Sequence, residues 1–150
     1  GLRAGAFGLF ALVLTQIGLG ALVAGSRAGL TYNDWPFMAG HLVPPMDHLA
    51  RLDPWWLNFL ENITLIQFQH RLAAYALMAL ALWHMVAARR HAPGSSAARR
   101  ATALAGLVTT QAVIGVVTLM LVVPIWAGLL HQAFAMIVLA MAAVHARRLS

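Results

Sequence analysis

Four stretches of the sequence, about 4–25, 63–88, 101–123 and 127–146, each carry a nearly unbroken run of apolar residues. Roughly 20 such residues, at ~1.5 Å of rise each, cross a ~30 Å hydrocarbon layer as a helix. Backbone polar groups in hydrocarbon must be satisfied inside their own segment, so the pattern predicts an all-α fold, a transmembrane four-helix bundle. The chain is 61% hydrophobic and 9% charged, which sets it apart from soluble domains and makes the lipid bilayer its solvent. The first stretch is too long for a signal-peptide core and is read as a span.

Charge placement gives the bundle a direction. Arg3 precedes the first span, Arg89, Arg90, Arg99 and Arg100 bracket the second connection, and Arg147 and Arg148 follow the last span. By the positive-inside rule both termini and that connection are cytoplasmic, across a bacterial inner membrane. All four acidic residues, Asp34, Asp47, Asp53 and Glu61, fall in the long connection 26–62, which then forms an outer loop. Tyr32, Trp35, Trp55 and Trp56 in this loop suit an interfacial belt. Its prolines leave room for a short helix over about 53–60. Arginines at span ends do not make the continuous basic patch that nucleic acid requires, so no nucleic-acid partner is expected.

The spans also repeat. Thr15-Gln16 followed by Gly20 on the first matches Thr110-Gln111 followed by Gly115 on the third. His70 and His84 on the second match His131 and His145 on the fourth, with 14 residues between the members of each pair, as their numbers show. The chain thus reads as a pseudo-twofold repeat of helix pairs in one membrane domain, 1–150. An even number of spans per copy puts the axis along the membrane normal, with His70 opposite His131.

Without cysteine, disulfides, zinc–thiolate sites and iron–sulfur clusters are excluded, and histidine is the metal ligand left in quantity. His70 and His131 lie at similar depth near the outer end of their spans. One buried histidine is adequately explained by a hydrogen bond to a neighbouring helix. Two at matched depth on repeat-related helices point to a shared ligand, and facing imidazoles can bind heme iron axially. Fourteen residues return a helix to nearly the same face about 21 Å further on. His84 and His145 therefore pose the alternative of a second heme, as in di-heme electron-transfer cytochromes, or else sit among headgroups where a histidine costs little. A heme-free scaffold with only structural histidines is the third class. Arg27 and Arg71 are candidates for heme propionates, or snorkel to lipid phosphates. Gln16 and Gln111 suit interhelical hydrogen bonds. Gly18, Gly20, Gly25, Gly106 and Gly115 suit close helix approach or clearance for a flat ligand.

Three segments carry a family resemblance: Ala24-Gly-Ser-Arg-Ala-Gly-Leu-Thr-Tyr-Asn-Asp-Trp-Pro36, Glu61-Asn-Ile-Thr-Leu-Ile-Gln-Phe-Gln-His-Arg71, and Gln111-Ala-Val-Ile-Gly115 leading to Leu130-His-Gln132. With them the chain resembles the C-terminal half of the heme A synthase family. That resemblance implies two fused four-helix halves that oxidise a methyl group of heme O to the formyl group of heme A for terminal oxidases. It further implies that this half holds heme b through His70 and His131, while the other half carries the substrate and a glutamate three residues before its first histidine. Here that position is Gln67, beside the heme face, and a carboxamide cannot take up a proton there. The resemblance therefore assigns no catalytic residue to this chain. It implies one iron with His70 and His131 as metal ligands, contacts from Arg27, Arg71 and Gln67, and a partner in a missing half, a second copy or an oxidase-assembly protein.

Overall fold

The computed structural model describes residues 1–149. Four long helices dominate it: α1 (Leu2–Gly25), α4 (Ile63–His91), α5 (Ser96–Met120) and α6 (Ile125–Arg147), each long and apolar enough to cross a membrane. The chain is an integral membrane protein. Large apolar side chains such as Leu14, Leu82, Trp83, Met136 and Ile137 are exposed on the helix exteriors, where only lipid is an acceptable solvent.

Packing is a closed ring in which α1 meets α4 and α6, and α5 meets α4 and α6. The helices bearing the four transmembrane histidines, α4 and α6, therefore occupy opposite corners. Between them lies an apolar core to which every helix contributes: Leu9 and Val13 from α1, Leu77 and Ala81 from α4, Leu104 and Val108 from α5, Val138 and Ala142 from α6. Towards the arginine-bearing end the buried residues shrink to Ala88, Ala98, Ala101 and Ala146, which let the backbones converge.

Helix ends follow local chemistry rather than the apolar pattern. Asn62 opens α4 by accepting from Thr64 N at 3.0 Å, and Ser95 opens α5 by accepting from Ala98 N at 3.1 Å. Capped by Ser95, α5 starts ahead of Arg99 and Arg100, five residues before the expected 101. It also stops three residues earlier than the expected 123, at Met120. Val122 and Val123 turn left-handed there, with φ of 62° and 51°, and Pro124 starts α6. Such a turn costs a β-branched residue about 1–2 kcal/mol. Hydrogen bonds from Val122 N to Leu119 O and Val123 N to Thr118 O hold it, at 3.0 and 2.9 Å.

The connection 26–62 is folded. It contains 3₁₀ turns at Ala28–Leu30 and Trp55–Leu57 and two single-turn helices, α2 (Met46–Leu49) and α3 (Asn58–Glu61). Helix was expected over about 53–60 and is found there; α2 has no apolar periodicity to announce it. Two buried asparagines one turn apart organise this segment. Asn58 Oδ1 accepts from Arg51 N and Leu52 N and its amide donates to Leu52 O and Trp55 O, while Asn62 donates to His48 O and to Asn58 Oδ1.

Candidate functional site: two histidine levels between α4 and α6

The first level lies near the loop end, about two helical turns into α4 and α6. Gln16 of α1 donates through Nε2 to the backbone carbonyl of His70 at 3.1 Å, and the same nitrogen lies 3.4 Å from His70 Nε2. Gln111 of α5 donates to the backbone carbonyl of His131 at 2.9 Å and lies 3.2 Å from His131 Nδ1. One turn further along each glutamine's helix a glycine faces the same ring. A Cβ on Gly20 would come within 3.2 Å of His70 Cε1, and one on Gly115 within 2.8 Å of His131 Cε1. The expected hydrogen-bonding role of the two glutamines is thus realised: each helix pair sets a glutamine on the histidine's backbone carbonyl and a glycine against its ring, though the ring nitrogen faced is Nε2 in His70 and Nδ1 in His131. Gly18, Gly25 and Gly106 have open space around them and provide no such clearance.

Both rings of this level are half-buried. Close by, the loop is fastened to α4 by the turn Gln67–Arg71. Gln67 donates to Ala28 O at 2.8 Å and Tyr32 O at 3.3 Å, and its Oε1 accepts from Arg71 at 2.8 Å. Arg71 spends its two terminal nitrogens on the carbonyls of Phe37 (2.8 Å), Asp34 (3.1 Å) and Tyr32 (3.2 Å). Asn33 adds a bond from the loop to Leu119 O at the end of α5, 2.9 Å. Arg71 thus clamps the loop to α4, because a planar guanidinium can serve several carbonyls at once. Arg27 stands exposed just beyond α1 with a left-handed backbone.

The second level lies 14 residues on, at the arginine-bearing end. Here His84 Nε2 and His145 Nε2 are 2.8 Å apart, with ring planes at 75°. The two side chains are 1% and 0% exposed, and a Cβ on Gly5 would come within 2.5 Å of His84 Nδ1. Both rings are shut inside the bundle rather than exposed on its surface, and as packed the two Nε2 atoms are too close to share a metal. Two imidazole nitrogens sharing one ion need about 4 Å between them, twice an ordinary metal–nitrogen bond of ~2.0 Å.

Residues 1–143, spanning all four long helices and both levels, match the cytochrome oxidase assembly protein family. The chain belongs to that family. Among curated proteins, members named heme A synthase are close in sequence. That of Methylobacterium sp. (strain 4-46) is 61% identical over 134 residues, covering 89% of this chain and 37% of the relative. The Methylobacterium nodulans protein is 57% identical over 146 residues (97% and 41%), and the Beijerinckia indica protein 50% identical over 150 residues (100% and 42%). The chain thus spans about two-fifths of the length of these heme A synthases. No solved structure matches it. The heme A synthase resemblance read from the motifs is borne out.

Within a family whose members include heme A synthases, the fit of a heme to the loop-end level can be tested on the residues themselves. Among the described residues, His70 Nδ1 is buried without a hydrogen-bond partner, so a nitrogen donor is left unspent. Glycine faces both rings, where any larger side chain would collide with the imidazole. The residues fit. The arginine-end pair also leaves Nδ1 of each ring buried without a partner and has Gly5 against His84, but there each Nε2 is spent on the other and the two rings are in direct contact.

Proposed function

We propose that this chain is the heme b-holding half of a heme A synthase, with His70 and His131 as the two axial ligands. The observation that carries this reading is the duplicated glutamine–histidine–glycine contact, at one level, on the opposite corners α4 and α6. A heme held by His70 and His131 would supply one-electron exchange, which suits electron transfer rather than oxygen chemistry.

The chain's own residues support the holding role. Gln67, one turn before His70, cannot take up a proton, and both ends of its carboxamide are engaged on Ala28, Tyr32 and Arg71. Glu61 is exposed and precedes α4 altogether. Gln67 shapes the site through the loop it fastens rather than by touching a reacting group. Arg27, exposed and near the loop end, is the better partner for propionates now that Arg71 is committed to carbonyls. Conversion of heme O to heme A then requires residues beyond this chain, supplied by the other half, a second copy or an assembly partner. The arginines flanking the spans favour both termini on the cytoplasmic side of a bacterial inner membrane.

The test is heme per polypeptide in detergent, with the reduced-minus-oxidised spectrum, for the wild type and three variants. About one heme is expected in the wild type and in His84→Ala, and almost none in His70→Ala or His131→Ala. Well-folded wild type without heme would sink the reading, and two hemes would favour a di-heme cytochrome. Supplied with heme O, the chain alone is expected to yield no heme A.

A further inference from the structure

The loop-end level contains polar atoms that iron ligation alone does not use. Gln16 and Gln111 each direct a side-chain nitrogen at their histidine, yet the amide oxygens of both are buried and accept no hydrogen bond among the described residues. Leaving a buried polar acceptor unmet costs about 1–3 kcal/mol. Here it happens twice, at matching places in the two helix pairs. An imidazole that binds a metal through one nitrogen carries its proton on the other, and that N–H almost always has an acceptor. As the amides stand, they present donors to the rings, which is the wrong polarity for that purpose.

We propose that Gln16 and Gln111 are positioning residues whose amide oxygens accept the ring N–H of His70 and His131 when those rings bind iron. The proposal rests on the heme reading and assigns each axial ligand its own orienting partner. The step it requires is a turn of each carboxamide that exchanges its oxygen and nitrogen. That turn forfeits the bond from Nε2 to the histidine's backbone carbonyl, a group that also serves the α-helical ladder. In return it fixes the ring's rotation and tautomer. An accepted N–H makes the imidazole a stronger electron donor and so favours oxidised iron.

Redox titration of the heme-loaded full chain tests this, using Gln111→Leu, Gln111→Glu, Gln16→Leu and Gln16→Glu. Leucine removes the acceptor and is expected to raise the midpoint potential. Glutamate supplies a stronger acceptor and is expected to lower it. Each change should approach tenfold in the oxidised-to-reduced ratio at fixed potential, about 59 mV for one electron. Both substitutions abolish the amide donor, so a glutamine that merely braces two helices predicts shifts of one sign or none, and that result overturns the proposal. Where leucine costs the protein its heme, retention in the glutamate variant supports the proposal and equal loss in both overturns it. Wild type without heme overturns the axial-ligand reading and this one together, whereas wild type with heme and parallel shifts overturns this one alone.

Discussion

The two histidine levels lie on the same pair of helices, in the same chemical alphabet, and come out opposite. At the arginine end two imidazoles satisfy each other at 2.8 Å, are fully buried and stand among alanines that draw the backbones together. At the loop end each imidazole contacts its own glutamine, is half-buried and is faced by a glycine. The self-bonded pair has spent Nε2 of each ring on the other, with Nδ1 of both buried and unpartnered. The loop-end rings are bonded to other residues instead, and His70 Nδ1 is left without a partner. On the proposed reading, the partner of each ring, more than its depth in the bilayer, is what separates a structural histidine pair from a ligand pair.

That contrast can be broken at several points. The largest effect is expected from filling the clearance: Gly115→Val should cut heme content at least tenfold, measured against total chain, with the helices intact by circular dichroism. At the closed level Gly5→Ala drives a methyl into His84 and should cost about 1–3 kcal/mol, as overpacking does, without changing heme content. Arg71→Ala strips the loop carbonyls of Asp34 and Phe37 of their donor and leaves Tyr32 O with Gln67 alone. It should cost about 3 kcal/mol, seen as a lower Tm and faster proteolysis within 26–62, and Arg71→Lys should restore little of it. For the closed pair, His84→Leu alone should destabilise by about 1–3 kcal/mol, while His84→Leu with His145→Leu should come back towards wild type, because no buried nitrogen is left unmatched. The smallest effect is expected at glycines with open surroundings, where Gly18→Ala or Gly106→Ala should stabilise by about 0.4–1 kcal/mol.

Much of this architecture was legible in the sequence because lipid imposes a coarse rule. Apolar runs of sufficient length become helices, and the matching Gln16 and Gln111, His70 and His131, marked positions that do form equivalent contacts. What stayed hidden was set by geometry that hydropathy does not encode. The early end of α5 depends on two valines taking up left-handed backbone, a state their side chains disfavour. The clamp made by Arg71 stayed hidden because nothing in a linear pattern shows three loop carbonyls converging on it. His84 and His145 looked like headgroup residues because nearby arginines suggested exposure, whereas the convergence of alanine-lined helices buries them. The Asn58–Asn62 pair did carry a signal, an asparagine directly ahead of a long apolar run, which marks a helix start but not the loop folded around it.

The turn at Val122 and Val123 also makes the two half-sites unequal in chain connectivity. Through that short hairpin, Gln111 reaches His131 across a separation of 20 residues, whereas Gln16 and His70 are 54 apart and enclose the whole folded loop. The entropy of closing the longer span is only about 0.9 kcal/mol greater, if the chain between is treated as flexible. Order of assembly is affected more than final stability: one histidine meets its glutamine as a local hairpin, and the other only after a distant segment has folded. A lesion in the loop should therefore divide the site in time, leaving the His131 side formed and waiting while the His70 side is still open.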